Sequence, residues 1–182
     1  MVFTLVYLEL DPQISITTSS GDVRNHKIQS LIASCKYSIH DLCRSKSLGK
    51  GELPRFNMPY ELGLDIGANA FGEEQLRSKK ILILETEKYQ YQKFISDLAG
   101  QDIEDHKDDP YLLIEKVRNW LSNNSNGISP PATVIWNAYN VFLSNLSKTL
   151  KDVGYSEREQ QLMPIGDFIK FCKDWISQNK TI

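Results

Sequence analysis

The sequence predicts an α/β fold in which a mostly parallel sheet with flanking helices is followed by a C-terminal helical hairpin. Residues 80–85, KILILE, form an apolar run bounded by charges, which is typical of a strand covered on both faces. Helical and strand patterns alternate through residue 121, which favours right-handed βαβ connections. With 182 residues, 41% of them hydrophobic, the chain is long enough for one compact α/β domain.

The first elements follow from periodicity. Residues 2–10 are an apolar run that fits either a strand or a buried helix. Residues 14–17 alternate as a strand does. Apolar residues recur at helical spacing from residue 23 to 34, and residues 37–42, YSIHDL, follow as a strand.

The next elements bring a carboxylate close to the start of a helix. Residues 57–68 predict a helix with Asn57 as its N-cap and Pro59 in its first turn, where a missing N–H costs nothing. Glu61 is then expected near the positive end of that helix. Three more elements complete the first part of the chain: a helix over 91–99 that ends at Gly100, a short strand from 102–103, and a helix over 110–121.

Composition marks a linker at residues 122–131, SNNSNGISPP. Helices are predicted at 132–150 and 165–177. We interpret residues 1–121 as an α/β domain and residues 132–182 as a helical extension packed on its core.

The net charge and the distribution of apolar residues argue against several classes of function. The formal net charge of −2 gives no bulk attraction to nucleic acid or to an anionic membrane. Four cations in one short loop form a local cluster that is either a solvated loop or a phosphate contact: Arg44, Lys46, Lys50 and Arg55. No run approaches the roughly 18 apolar residues of a membrane helix, and the start is a poor signal peptide, so a cytoplasmic protein is expected.

Two carboxylates stand where ligands bind in open parallel sheets. Asp41 ends the predicted strand at 37–42, and Glu61 lies in the first turn of the next helix, so both are expected at the same sheet edge. In such a pair one carboxylate can act as nucleophile or base while the other acts as an orienting group or an acid. The alternative is local hydrogen bonding, which also favours acidic residues at strand ends and helix starts.

Three blocks in a fixed order resemble the nucleoside 2-deoxyribosyltransferase-like and TIR-like group of nucleotide-binding folds. They are IASC at 32–35, YSIHDL at 37–42 and RFNMPYELGL at 55–64. Residues 80–84 and 91–103 also resemble a set of uncharacterised bacterial proteins. The resemblance covers about residues 14–121 and implies a Rossmann-like or flavodoxin-like sheet. Members of the group carry an earlier strand that this chain is expected to lack, in which case residues 2–10 belong to a helix.

The resemblance implies roles for particular side chains. Glu61 is the candidate nucleophile or oxocarbenium stabiliser, and Asp41 would bind a sugar hydroxyl or orient the substrate. The other candidates for substrate binding are Asn57, Tyr60, Arg44, Asp97, Gln101 and Asp102. Cleavage of an N-glycosidic bond passes through an oxocarbenium-like state that a placed carboxylate stabilises.

Histidines and cysteines give no comparable signal. Neighbouring strand residues point to opposite faces, so His40 is not expected to share a cleft with Asp41. His26 and His106 have no partner at ligand spacing, and the three cysteines form no CxxC pair, so no metal is expected.

The resulting expectation is that the α/β domain binds a nucleotide or nucleoside. It is either an enzyme, namely an N-glycosidase, an NAD-cleaving or a deoxyribosyl-transferring enzyme, or a catalytically inactive module that senses nucleotides or binds another protein. No tightly bound cofactor is expected, and NAD or another nucleotide is the candidate substrate. The apolar first ten residues offer a surface for a homodimer.

Overall fold

The structure is a computed structural model that describes residues 1–15, 23–43, 56–93, 95–98 and 100–180. In chain order its elements begin with α1 (Val2–Tyr7), α2 (Arg24–Ser34), β1 (Tyr37–Asp41), α3 (Asn57–Phe71), α4 (Glu74–Arg77) and β2 (Lys80–Glu85). Two 3₁₀ turns, Gln90–Lys93 and Ser96–Leu98, lead to β3 (Glu104–Asp105). The remaining helices are α5 (Pro110–Asn124), α6 (Ala132–Asp152), α7 (Glu157–Gln161) and α8 (Ile165–Asn179).

The chain divides into two compact units. One comprises residues 13–116, and the other joins residues 1–12 to residues 117–182. The protein is thus α/β, with its strands in the first unit and helices in both.

Residues 13–116 are built on a three-stranded parallel sheet in the order β1-β2-β3. The parallel sheet predicted from the apolar run of β2 is confirmed, since β2 pairs with a strand on each side. Its residues Leu82, Ile83 and Leu84 are buried, as expected of a strand covered on both faces. A buried core cluster lies against the sheet and is made of Leu42, Leu62, Ile83, Tyr91 and Ile103.

The other unit holds α1 against the C-terminal helices. The ring of Phe3 lies 5.1 Å from that of Phe142 in α6 and 6.0 Å from that of Trp175 in α8, measured between ring centroids. Phe142 and Trp175 also contact each other edge to face at 5.8 Å. Within the apolar run at residues 2–10, residues 2–7 therefore form a helix rather than a strand, and the side chain of Phe3 packs into this aromatic cluster.

Several predicted boundaries need correction. Asn57 is not an N-cap but the first helical residue, preceded by Phe56. The helix predicted at 91–99 is two 3₁₀ turns, and β3 lies two residues later than the predicted 102–103. The linker predicted from residue 122 starts later, because α5 continues to Asn124.

The strand predicted at 14–17 falls partly outside the described residues, and Ile14 and Ser15 belong to no strand. Within the described part of the chain, no helix combines the length and apolarity needed to cross a membrane.

Candidate functional site

The neighbouring side chains at the end of β1 contact different partners. His40 Nε2 donates to Asp65 Oδ2 in α3 at 2.9 Å, whereas Asp41 Oδ1 lies 3.5 Å from His106 Nε2, beyond β3. The expectation that His40 does not share a cleft with Asp41 agrees with this arrangement, and His40 is a packed residue that is only 6% exposed.

Asp65 is the centre of a buried polar network. It accepts from His40 and forms an ion pair with Lys79 at 2.9 Å, and Lys79 Nζ also donates to the carbonyl oxygen of Ile32 at 2.8 Å. Burial alone raises the pKa of Asp65. Hydrogen bonds from His40, Lys79 and Ser38, with the charge of Lys79, outweigh that effect and hold the pKa below its usual value. The network joins α2, β1 and α3 and is shielded from water, so it positions the site without forming its surface.

Glu61 lies one turn before Asp65 on the same side of α3. Its side chain is 9% exposed, and its Oε1 accepts from Arg24 Nη2 at 3.2 Å. Arg24 is the first residue of α2 and is 57% exposed. A shielded carboxylate is thereby joined to a guanidinium that reaches solvent.

Tyr60 makes a second connection to the start of α2. Its hydroxyl donates to Asn25 Oδ1 at 3.2 Å, and the residue is 54% exposed. We call Arg24, Asn25, Tyr60 and Glu61 the α2–α3 patch. It combines a carboxylate, a cation, an amide and an exposed aromatic ring.

Asp41 belongs to a different group of side chains. Its Oδ1 accepts from the backbone N–H of Cys43 at 3.0 Å. One ligand atom each from Asp41, Cys43 and His106 lie within 4.8 Å of one another. The sequence-based view that His106 has no partner at ligand spacing is therefore wrong, because these partners come from another strand.

The remaining predicted site residues are dispersed. Asn57 is exposed at the start of α3, and Asp97 is exposed in the second 3₁₀ turn. Asp102 is 94% exposed and lies 4.0 Å from Lys88 Nζ, while Gln101 is an exposed neighbour. Arg44 and the other three cations of its cluster lie outside the described residues.

The structure thus brings Tyr60 and Glu61 together at α2 and gives Asp41 a separate set of partners. Sequence reasoning missed Arg24, Asn25, Cys43 and His106. For His106 a signal existed: placing β3 at 104–105 puts this residue at the carboxyl end of a parallel strand, where ligands bind. Arg24 and Asn25 carry no comparable local signal.

Comparison with protein-family models, with curated proteins and with solved structures finds no match to the chain. The resemblance to the deoxyribosyltransferase-like and TIR-like group stays a prediction.

Proposed function

We propose that this chain is a nucleotide- or nucleoside-binding protein with a Rossmann-like α/β unit and a C-terminal helical hairpin. The α2–α3 patch is its binding surface and Glu61 its reactive carboxylate. The observation that carries the proposal is the pairing of the shielded Glu61 carboxylate with the exposed Arg24. The reaction would be cleavage or transfer at an N-glycosidic bond, with Glu61 as nucleophile or oxocarbenium stabiliser.

Two members of the α2–α3 patch, Tyr60 and Arg24, each suit one part of a nucleotide. The exposed ring of Tyr60 offers a face on which a base can stack. The Arg24 guanidinium can form bidentate hydrogen bonds to a phosphate. Arg24 is also the first residue of α2, where the positive end of the helix dipole attracts an anion. Val23, the N-cap of α2, has no polar side chain to occupy the first amide groups.

Burial of Glu61 also suits the chemistry. In a shielded site a carboxylate stabilises developing positive charge more strongly than it does in water. Arg24 must release Glu61 on ligand binding, and a phosphate that binds the guanidinium supplies the replacement anion. Binding and activation of the carboxylate would then be coupled.

Turnover tests the enzymatic form of the proposal. NAD, nucleosides and nucleotides would be incubated with the protein, and release of nicotinamide or free base would be followed by chromatography. Glu61→Gln keeps the size of the side chain but removes its charge, so product release should fall to background. Glu74→Gln alters an exposed carboxylate on α4 and serves as the matched control.

Circular dichroism would show that Glu61→Gln remains folded. Product release by a folded Glu61→Gln protein at the wild-type rate would contradict a catalytic Glu61.

The Arg24–Glu61 ion pair itself favours a second candidate, a nucleotide-sensing module without turnover. A carboxylate held by a guanidinium at 3.2 Å is a weaker nucleophile than a free one. Calorimetric binding of a nucleotide with no product over extended incubation would favour this candidate over the enzyme.

A further inference from the structure

We propose that Asp41, Cys43 and His106, the metal-ligand cluster, bind a divalent transition-metal ion, with zinc as the best fit. The site is separate from the α2–α3 patch and does not depend on the proposed function. It lies at the carboxyl edge of the sheet, because Asp41 ends β1 and His106 follows β3 directly. The two side chains meet across the end of the middle strand β2.

The spacing of the cluster is that of ligands around one ion. His106 Nε2 lies 3.5 Å from Asp41 Oδ1, and this nitrogen makes no hydrogen bond within the described part of the chain. The distance is long for a hydrogen bond. Two ligands of a tetrahedral zinc at about 2.0–2.3 Å from the metal are roughly 3.3–3.8 Å apart, so the observed separation already fits. The largest distance between two ligand atoms of the cluster is at most 4.8 Å, so these atoms would have to approach each other by about 1 Å at most.

Burial of His106 gives the second observation. The side chain is 7% exposed, and its Nε2 lies 3.5 Å from Asp41 Oδ1 with no hydrogen bond to any residue that the structure describes. A buried polar atom left without a partner costs about 1–3 kcal/mol. A metal ion between the imidazole and the carboxylate would remove that cost.

The turn after β3 holds the imidazole in place. Lys107 and Asp108 adopt positive φ angles of 52° and 55°, a conformation that is uncommon for residues other than glycine. Through this turn the Asp108 N–H reaches His106 Nδ1 at 3.2 Å, and the Asp109 N–H donates to the His106 carbonyl oxygen at 2.8 Å. In the metal-free protein the bond to Nδ1 fixes the direction of the ring and leaves the proton of a neutral ring on Nε2, 3.5 Å from Asp41 Oδ1, so metal binding would move that proton to Nδ1.

Asp108 can accept the ring proton that His106 carries when it binds a metal ion. Coordination through Nε2 uses its lone pair, so a neutral ring carries its proton on Nδ1, and the Cys43 thiol releases its proton to solvent on binding. Asp108 Oδ1 lies 4.0 Å from Nδ1 and its side chain is 75% exposed, so it can turn to accept the ring proton. This would give the carboxylate–histidine–metal arrangement of many zinc sites. Metal binding would therefore replace the bond from the Asp108 N–H to Nδ1, and this N–H would donate to water instead.

The donor set selects the metal. Thiolate, imidazole and carboxylate together suit zinc and neighbouring transition metals, whereas magnesium and calcium prefer oxygen ligands. A Cys43 thiolate and the Asp41 carboxylate also balance the charge of a divalent ion. Three protein ligands leave a fourth position for water or a substrate, as in catalytic zinc sites.

Metal titration of the protein tests the proposal. After treatment with a chelator and its removal, Zn²⁺ should bind with a stoichiometry of one, and Mg²⁺ should not compete. Co²⁺ should give intense visible bands of tetrahedral coordination and a near-ultraviolet thiolate charge-transfer band. Absence of Zn²⁺ binding, or a Co²⁺ spectrum without the thiolate band, would overturn the proposal.

Variants locate the ion. Cys43→Ser and His106→Gln should each weaken Zn²⁺ binding by at least about 100-fold, because even loss of an outer partner of a ligand costs about 10–100-fold. Asp108→Ala should fall within that smaller range. Cys35→Ser and His26→Gln, which alter the same residue types on α2 or next to it, should bind as the wild type does. Equal loss in the control variants would place the ion elsewhere and refute the assignment.

A measurement on the wild-type protein covers the case in which a variant does not fold. Zn²⁺ should protect Cys43, but not Cys35, from alkylation followed by mass spectrometry. Alkylation of Cys43 at the same rate with and without Zn²⁺ would also overturn the proposal.

Discussion

The carboxylate of Asp65 is fully buried, with His40 and Lys79 as its charged or polar partners. A buried pair of this kind gives little net stability over an apolar replacement, but breaking it leaves an unbalanced charge in the interior. Asp65→Asn keeps the shape of the side chain and leaves Lys79 without a counter-charge. We expect a loss of about 3–5 kcal/mol in the free energy of unfolding, measured by denaturant titration at pH 7.

The pH dependence gives a second readout of the same variant. The pKa of Asp65 is lower in the folded chain than its ordinary value of 3.8, so its ionisation stabilises the folded state above that pH. This contribution is lost as the pH falls through the folded pKa. The difference in stability between wild type and Asp65→Asn should therefore narrow in acid. A difference that stays constant from pH 7 to pH 2.5 would contradict the assignment.

At this scale the sequence predicted Glu61 and Tyr60 as site residues but could not identify their partners. Arg24 and Asn25 lie 37 and 35 positions away, and nothing in their local sequence separates them from other surface residues of an amphipathic helix. Asp41 was predicted beside Glu61 because both follow the same sheet edge. Instead it contacts Cys43, two residues along the chain, and His106, which only the pairing of the three strands brings to this edge.

At the scale of the element, β2 is the strand on which the sheet depends. It pairs with β1 and β3, and its fifth residue, Leu84, is fully buried. The Leu84 carbonyl oxygen also accepts from the N–H of Leu42 at 2.8 Å. Any loss of packing around Leu84 therefore acts on both neighbouring strands.

Leu84→Ala should cost about 2–5 kcal/mol, because the cavity adds to the lost transfer free energy. Lys80→Ala changes the exposed first residue of the same strand and should stay within about 0.5 kcal/mol of wild type. Denaturant titration of both variants would compare them. Equal stabilities for the two would contradict the central place of β2.

Elements with a strong hydrophobic period were predictable from the sequence, whereas most short elements other than β1 were not. The long apolar stripes of α2, α3, α5, α6 and α8 and the continuous run of β2 identify these elements from local sequence. The segment between β2 and β3 has apolar residues at helical spacing, yet it forms 3₁₀ turns. There Tyr91 is buried and its hydroxyl donates to the carbonyl oxygen of Leu98, so tertiary packing overrides the periodicity. β3 has only two residues and too little sequence to carry a period.

At the scale of the whole molecule, the first residues of the chain pack with the last helices. Phe3 is 2% exposed among the rings of Tyr139, Phe142 and Trp175. Lys180 Nζ donates to the Tyr7 carbonyl oxygen at 2.9 Å and to Glu9 Oε1 at 2.7 Å. The sequence identifies α1, α6 and α8 as apolar but does not say which of them meet, because the contacts span more than 130 positions.

Phe3→Ala should destabilise the unit formed by residues 1–12 and 117–182 by about 3–5 kcal/mol. Ile128→Ala, at a fully exposed apolar residue of the same unit, should have almost no effect. Thermal unfolding followed by tryptophan fluorescence reports on this unit, which contains Trp120, Trp136 and Trp175. If Phe3→Ala unfolds at the same temperature as the wild type, α1 does not contribute to this core.

The central claim is that a nucleotide binds at the α2–α3 patch, and calorimetric titration tests it most directly. The wild-type protein should bind a nucleoside monophosphate more tightly than the corresponding nucleoside, because the phosphate reaches Arg24. Arg24→Gln should remove that preference, whereas Lys27→Gln, which alters an exposed cation one turn further along α2, should retain it. Absence of heat from every nucleotide tested, or the same phosphate preference in Arg24→Gln as in wild type, would contradict the account.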